Sequence, residues 1–210
     1  ARGQFDTQAF VTHYLPELEA TAYRGARIQH LLDMASGVAF SEAYTDPDSD
    51  VAMLDFADGW KRTGKPGWPR TTWELIMGLT KLERPHGERF NYRSIETDVL
   101  AMAMERATGQ RLPDLVSSLI WEPMGAEHDA YFTVDPAGYA LADGGFNATL
   151  RDYARFGLLH ATGGVAHGRQ IVPREWIAAT QACDPNLIER AGPADTSKWA
   201  YKNQFWIENH

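Results

Sequence analysis

The chain has 210 residues, 44% apolar and 23% charged, a composition that suits one well-buried domain and neither a disordered nor a membrane protein. A formal net charge of −8 excludes an electrostatic surface for nucleic acid, because phosphate binding needs clustered cations. The lone cysteine, Cys183, excludes an intrachain disulfide framework, and no apolar run reaches the roughly 18 residues of a membrane span.

Cys183 sits in TQACDPN with no partnered histidine nearby, so it reads as inert. The opening ARGQFDTQAF carries no initiator Met and no signal-peptide core, and the chain reads as the middle of a longer protein. Cytoplasm and periplasm both stay open.

Taken in order, Ile28, Leu31, Leu32 and Ala35 share a helical face, predicting a helix that Gly37 ends; Ser36-Gly37 then reads as its C-cap turn. Residues 40–70 are rich in turn signals, including Asp46-Pro47-Asp48 and Lys65-Pro66-Gly67, with a short helix fitted around Val51 and Leu54. Long loops of this kind often line binding clefts, which makes Tyr44, Asp58, Trp60 and Trp68 candidates for a cleft wall. Thr72 to Leu79 reads as a buried helix.

The central stretch is Gly87 to Gly109. Ile95, Val99, Leu100, Ala103, Met104 and Ala107 recur at helical spacing, and Gly109 stops the helix. Ser94 is expected to cap its start, with Glu96 and Asp98 placing negative charge at the positive end of the helix. Tyr92 then stands two residues before the cap, a phenol fixed where it can exchange a proton. The tripeptide alone also fits a buried structural tyrosine.

Beyond it, Leu112, Leu115, Val116, Leu119 and Ile120 form a stripe framed by Pro113 and Pro123, predicting one more helix. Tyr131 to Val134 reads as a short strand. Thr149 is expected to cap a helix through Tyr153 and Leu159, and Asn147 just before it fits either a substrate contact or a local turn. A further helix is expected around Trp176-Ile177. The tail from Trp199 to Ile207 alternates enough for a strand. There is no repeat, no low-complexity tract and no zinc motif, and His160 and His167 lack the acidic partner of a metal-binding helix. No cofactor is called for.

The stretch GERFNYRSIETDVLAMAMERATGQRLPDLVSSLIWEPMGAEH resembles the second motif region of the serine β-lactamase and penicillin-binding-protein-like hydrolases. Tyr92-Arg93-Ser94 stands as the Tyr-x-Ser that opens a helix there, and Pro123-Met124-Gly125 stands as the turn that follows. The segment ending in Ser36-Gly37 is similar to the LLxHxSG segment of that family, with Met34 in place of its histidine. Within the family the resemblance is to the 6-aminohexanoate-dimer (nylon-oligomer) hydrolases and related carboxylesterases.

That resemblance implies an α+β, β-lactamase/transpeptidase-like fold, here the helix-rich portion with part of the flanking antiparallel sheet. It implies a serine hydrolase that acts through an acyl-enzyme on a small-molecule amide or ester. Tyr92 would be catalytic, with Tyr44, Asp58, Asn147 and Ser94 on the substrate wall. The family's nucleophile motif is Ser-x-x-Lys. None of Ser36, Ser41, Ser49, Ser94, Ser117, Ser118 and Ser197 has Lys three residues later, and no third motif follows Trp206. The resemblance places the first before Ala1 and the second after His210. Two other functions remain open: a catalytically inactive binding or interaction domain, and a β-lactamase or D-Ala-D-Ala peptidase.

Overall fold

The computed structural model describes residues 3–182 and 199–208. Cys183 and Ser197 lie outside the described residues. Helix α5 (Ile95–Thr108) is the axis of the fold. It buries Ile95, Val99, Leu100, Met102 and Ala103 against α1 (Val11–Tyr14), α2 (Ile28–Leu32) and α4 (Thr72–Gly78). Gly109 ends it in the left-handed conformation expected of a C-cap, its amide bonded to the Glu105 carbonyl. A 3₁₀ turn (Pro16–Ala20) packs on α1 and α4, and α3 (Asp50–Ala57) packs on α4.

The helix expected up to Gly37 is shorter. It ends at Leu32, because the following residues find partners elsewhere. The Asp33 carboxylate accepts from Lys202 Nζ at 2.6 Å and from the Asn203 amide at 3.1 Å. Met34 turns at φ +52°, and its carbonyl takes the Asn91 amide at 2.8 Å. Ser36-Gly37 is therefore not a C-cap: the Ser36 hydroxyl is buried and donates to Glu96. Gly37 has φ +73°, and a Cβ there would stand 2.2 Å from the Arg84 carbonyl oxygen, so only glycine fits.

The stripe from Leu112 starts as α6 (Leu112–Val116) and widens into a π-helical turn, Ser117–Trp121. Ser118 Oγ bonds the Asp114 carbonyl at 2.7 Å, a side-chain competitor for the helical ladder. Strands β1 (Tyr131–Phe132) and β2 (Phe146–Asn147) pair antiparallel, Tyr131 opposite Asn147. Helix α7 (Leu150–Ala161) begins at Thr149, whose hydroxyl accepts from the Asp152 amide as expected of a cap. Two two-residue strands, β3 (Val165–Ala166) and β4 (Arg169–Gln170), lead to α8 (Arg174–Gln181).

The tail is a hairpin rather than one strand: β5 (Trp199–Lys202) pairs with β6 (Phe205–Glu208) across Asn203 and Gln204, both at positive φ. That turn docks on the helices. The Gln204 amide bonds the Leu32 carbonyl at 2.8 Å, and its side chain joins Leu31 to Thr97. The tail so lies beside the start of α5.

Candidate active site

Tyr92 sits on the segment that feeds α5, and both its neighbours are anchored. The Asn91 amide bonds Met34. The Arg93 side chain is fully buried, donating to the Asn91 carbonyl at 2.9 Å and to Glu83 at 3.0 Å, and stands 3.8 Å from Glu96. Burial pushes the Glu96 carboxyl up to about 8, against the pull of Ser36 and Arg93. Tyr92 itself is half-buried. Its ring stacks on the Trp206 indole, centroids 6.1 Å apart, and meets Tyr201 edge-on at 6.5 Å. The tail hairpin thus supplies one wall around the phenol.

The expectation for Ser94 is overturned. Its backbone is already helical, and its hydroxyl caps nothing. Instead its amide and its Oγ both donate to Glu42 Oε1, at 2.5 and 2.8 Å. A carboxylate accepts two donors more strongly than a hydroxyl can serve one amide, so Glu42 wins the competition.

Glu96 and Asp98 are likewise not surface charges at a helix end; both are buried. Asp98 Oδ1 accepts from the Ala142 and Asp143 amides at 2.8 and 3.3 Å, which pins the 142–145 turn to α5. Desolvation drives the Asp98 pKa well up, and the charges of Asp143 and Asp58 add to it. Asp143 rises to about 6, again chiefly from desolvation, and Asp58 to about 7 from desolvation and then from Asp143. Asp58 is only 3% exposed and accepts from Thr72 Oγ1 at 2.8 Å. Asp58 Oδ2, Asp98 Oδ2 and Asp143 Oδ1 are all buried and unpartnered.

The structure thus draws four carboxylates, Glu42, Asp58, Asp98 and Asp143, into one electrostatic neighbourhood with the two phenols. Desolvation raises the Tyr92 pKa first, then the charges of Glu42, Asp143 and Asp98. Tyr44 is 71% exposed as a residue, yet partial desolvation of its phenol, a hydrogen bond to Glu42 and the charges of Glu42, Tyr92 and Asp143 raise its pKa too. Both phenols hold their protons. Among the described residues no three histidine, cysteine or acidic groups lie close enough to hold a metal ion, and no helix is long and apolar enough to cross a membrane.

Of the residues singled out from sequence, Tyr92, Tyr44 and Ser94 gather around Glu42, and Asp58 joins them through Asp143. Asn147 lies in β2 and gives its amide to the Gly145 carbonyl at 2.8 Å, serving its own turn. Glu42 and Asp143 escaped the sequence reading, and Asp98 entered it only as a helix-end charge. Asp98 carried a signal, since it falls three residues after Ile95 and four before Met102, on the buried stripe.

The sequence matches other proteins over nearly its whole length. It is 39% identical over 206 residues to the 6-aminohexanoate-dimer hydrolase of Paenarthrobacter ureafaciens, covering 97% of this chain and 52% of that protein. It is 28% identical over 152 residues to Esterase EstB of Burkholderia gladioli, covering 67% of this chain and 36% of the esterase. The solved structure of a Bacillus anthracis protein, described as a candidate 6-aminohexanoate-dimer hydrolase, superposes with TM-score 0.85 at 29% identity over 98% of this chain and 53% of its own. The octameric penicillin-binding protein homologue of Pyrococcus abyssi superposes with TM-score 0.70 at 19% identity, covering 98% of this chain and 48% of its own. The chain therefore spans about half the length of the relatives it matches, in a β-lactamase/transpeptidase-like fold. The family description Beta-lactamase matches residues 1–204, and the chain belongs to that family.

Proposed function

We propose that the protein carrying this chain is a serine hydrolase of linear amides or esters, working through an acyl-enzyme, with 6-aminohexanoate oligomers as a candidate substrate. The observation that carries the reading is the position of Tyr92, half-buried at the start of a rigid helix and kept protonated by desolvation and by the surrounding carboxylates.

In this reading a serine supplied by the family's first motif attacks the substrate carbonyl, and its proton passes to an adjacent base. Tyr92 gives its phenolic proton to the leaving nitrogen or oxygen as the carbon–heteroatom bond breaks, and regains one from the deacylating water. Transient phenolate beside Glu42 and Asp143 is electrostatically unfavourable, so a cation has to stand close by during the step. A substrate amine paired with Asp58 would serve, which favours linear acyl chains that end in an ammonium group. Tyr44, Ser94 and Asn147 complete the proposed substrate wall.

The test uses the full-length protein. It should be labelled by a fluorophosphonate probe and should hydrolyse a p-nitrophenyl ester and a linear aminoacyl amide with higher kcat/KM than nitrocefin. Tyr92→Phe removes only the hydroxyl and should slow acylation by about 10²-fold or more, the scale of one positioned acid–base group. Turnover within threefold of wild type would make Tyr92 structural. Preference for nitrocefin would replace this reading with a β-lactamase.

A further inference from the structure

Four consecutive carbonyls, Met34 to Gly37, are taken by the segment that leads into Tyr92. Met34 accepts the Asn91 amide and Ala35 the Gly87 amide, each at 2.8 Å, and Gly37 accepts the Glu83 and Arg84 amides at 2.8 and 3.3 Å. The Ser36 carbonyl meets a side chain instead, the Nδ1 of His86. The other nitrogen of that ring, Nε2, lies 2.9 Å from the Arg24 carbonyl. A carbonyl oxygen can only accept, and a neutral imidazole carries a single N–H. Both contacts are hydrogen bonds only when the His86 ring carries two protons; with one, a nitrogen lone pair faces a carbonyl. The stacked ring of His30, its centroid 6.1 Å away, is under the opposite demand. Its Nδ1 accepts the Arg27 amide at 3.2 Å, which an imidazolium cannot do. Burial, and then the charge of His86, hold His30 below the ordinary histidine value.

The charged groups on the elements around the pair are Arg24 and Arg27, Asp33 after α2, Glu83 and Arg84 on the segment of His86 itself, and Glu96 on α5 behind Ser36. Asp33 is engaged by Lys202, and Glu83 by Arg84 and Arg93. The call for a second proton on His86 thus comes from its two carbonyls. We propose that His86, in its doubly protonated form, is a positioning residue for Tyr92: it completes the ladder between residues 34–37 and the segment that carries Tyr92, and ties both to the turn at Arg24, while His30 stays neutral beside it. The proposal rests on the hydrolase reading above and deepens it. Loss of the second proton turns one of the two contacts into lone pair against lone pair, and the ladder slackens at Ser36. His86 touches neither substrate nor the reacting atoms, so the slackening lowers kcat and leaves KM.

The experiment uses the full-length protein and a p-nitrophenyl ester. His86→Gln supplies one nitrogen donor at every pH and so stands in for the neutral ring. The ratio of wild-type to variant kcat cancels the titration of every group the two proteins share. At pH 6 it should be at least ~5-fold, within the scale of one hydrogen bond from a charged donor. At pH 9, above the range in which an imidazole titrates, it should come within twofold of one. A smaller ratio at pH 6, a ratio that stays flat to pH 9, or an effect confined to KM overturns the proposal. Nitrogen-15 spectra of the histidine rings need neither variant nor turnover and decide the matter if His86→Gln does not fold. As the pH is lowered, His86 should carry protons on both nitrogens while His30 Nδ1 is still bare, and the reverse order overturns the proposal. Failure of the underlying reading looks different: wild type then hydrolyses neither ester nor amide and resists the fluorophosphonate probe.

Discussion

Asp58 shows what a single buried carboxyl does to the behaviour of this protein. Its unfolded value lies near 3.9, and in the fold desolvation and Asp143 carry it to about 7, with only the Thr72 hydrogen bond opposing. Between those values the folded chain keeps a proton that the unfolded chain has released. Stability therefore falls as pH rises from about 4 to 7 and stays reduced above it. Asp58→Asn keeps an acceptor for Thr72 and puts N–H where Oδ2 stands unpaired. The variant should gain Tm over wild type at pH 8 by about 3 °C or more and gain much less at pH 5. Differential scanning calorimetry at the two pH values checks it. An equal shift at both would mean that packing, not charge, governs the site. The same exchange should raise KM for ammonium-terminated substrates, because the charge that destabilises the free protein is the one proposed to bind them.

At the scale of elements, the tail hairpin is held to the helices by its turn. Asn203 adopts φ +51°, and its side chain donates to Thr180 at 2.8 Å and accepts from Gln29 at 2.9 Å. Asn203→Gly loses both bonds but keeps the left-handed backbone freely; Asn203→Ala loses both and adds strain of roughly 1–2 kcal/mol. Urea unfolding should rank wild type above Gly and Gly above Ala, the last gap being about 1 kcal/mol. Equal stabilities for the two variants would mean the turn relaxes. The same turn explains what the sequence could and could not tell. α5 was legible because its apolar stripe and Gly109 are local signals, and so was the Thr149 cap of α7. The early end of α2 was not, because Asp33 is claimed by Lys202 and Asn203, some 170 residues away. Ser94 misled for the same reason: a carboxylate 52 residues upstream outcompetes the local cap. Tyr92 and Asp58 were nameable from family pattern and loop character, but the carboxylate neighbourhood that sets their protonation is a product of chain closure.

For the molecule as a whole, the distribution of apolar surface is uneven. A trough of about 360 Å³ runs between α5, the π-helical turn, the β1–β2 hairpin and α7, lined by Leu100, Met104, Ile120, Phe132, Phe146 and Phe156 with few polar groups. The Trp121 and Phe146 rings meet edge-on at 5.2 Å in its wall. A soluble surface seldom leaves an apolar hollow of this kind uncovered. Expressed by itself, the 210-residue chain should bind an anilinonaphthalene dye with a strong blue-shifted emission. Phe156→Glu places a charge in the trough and should cut that emission by about half or more, since dye affinity follows the apolar area on offer. Leu158 lies on the outer side of the same helix, 60% exposed, and Leu158→Glu should leave the emission nearly unchanged. Equal losses from the two substitutions would mean that the dye reads loosening of α7 rather than the trough. A dark dye together with a sharp thermal transition of a monomer would show that the lining residues repack on themselves and that the chain needs no cover over this face.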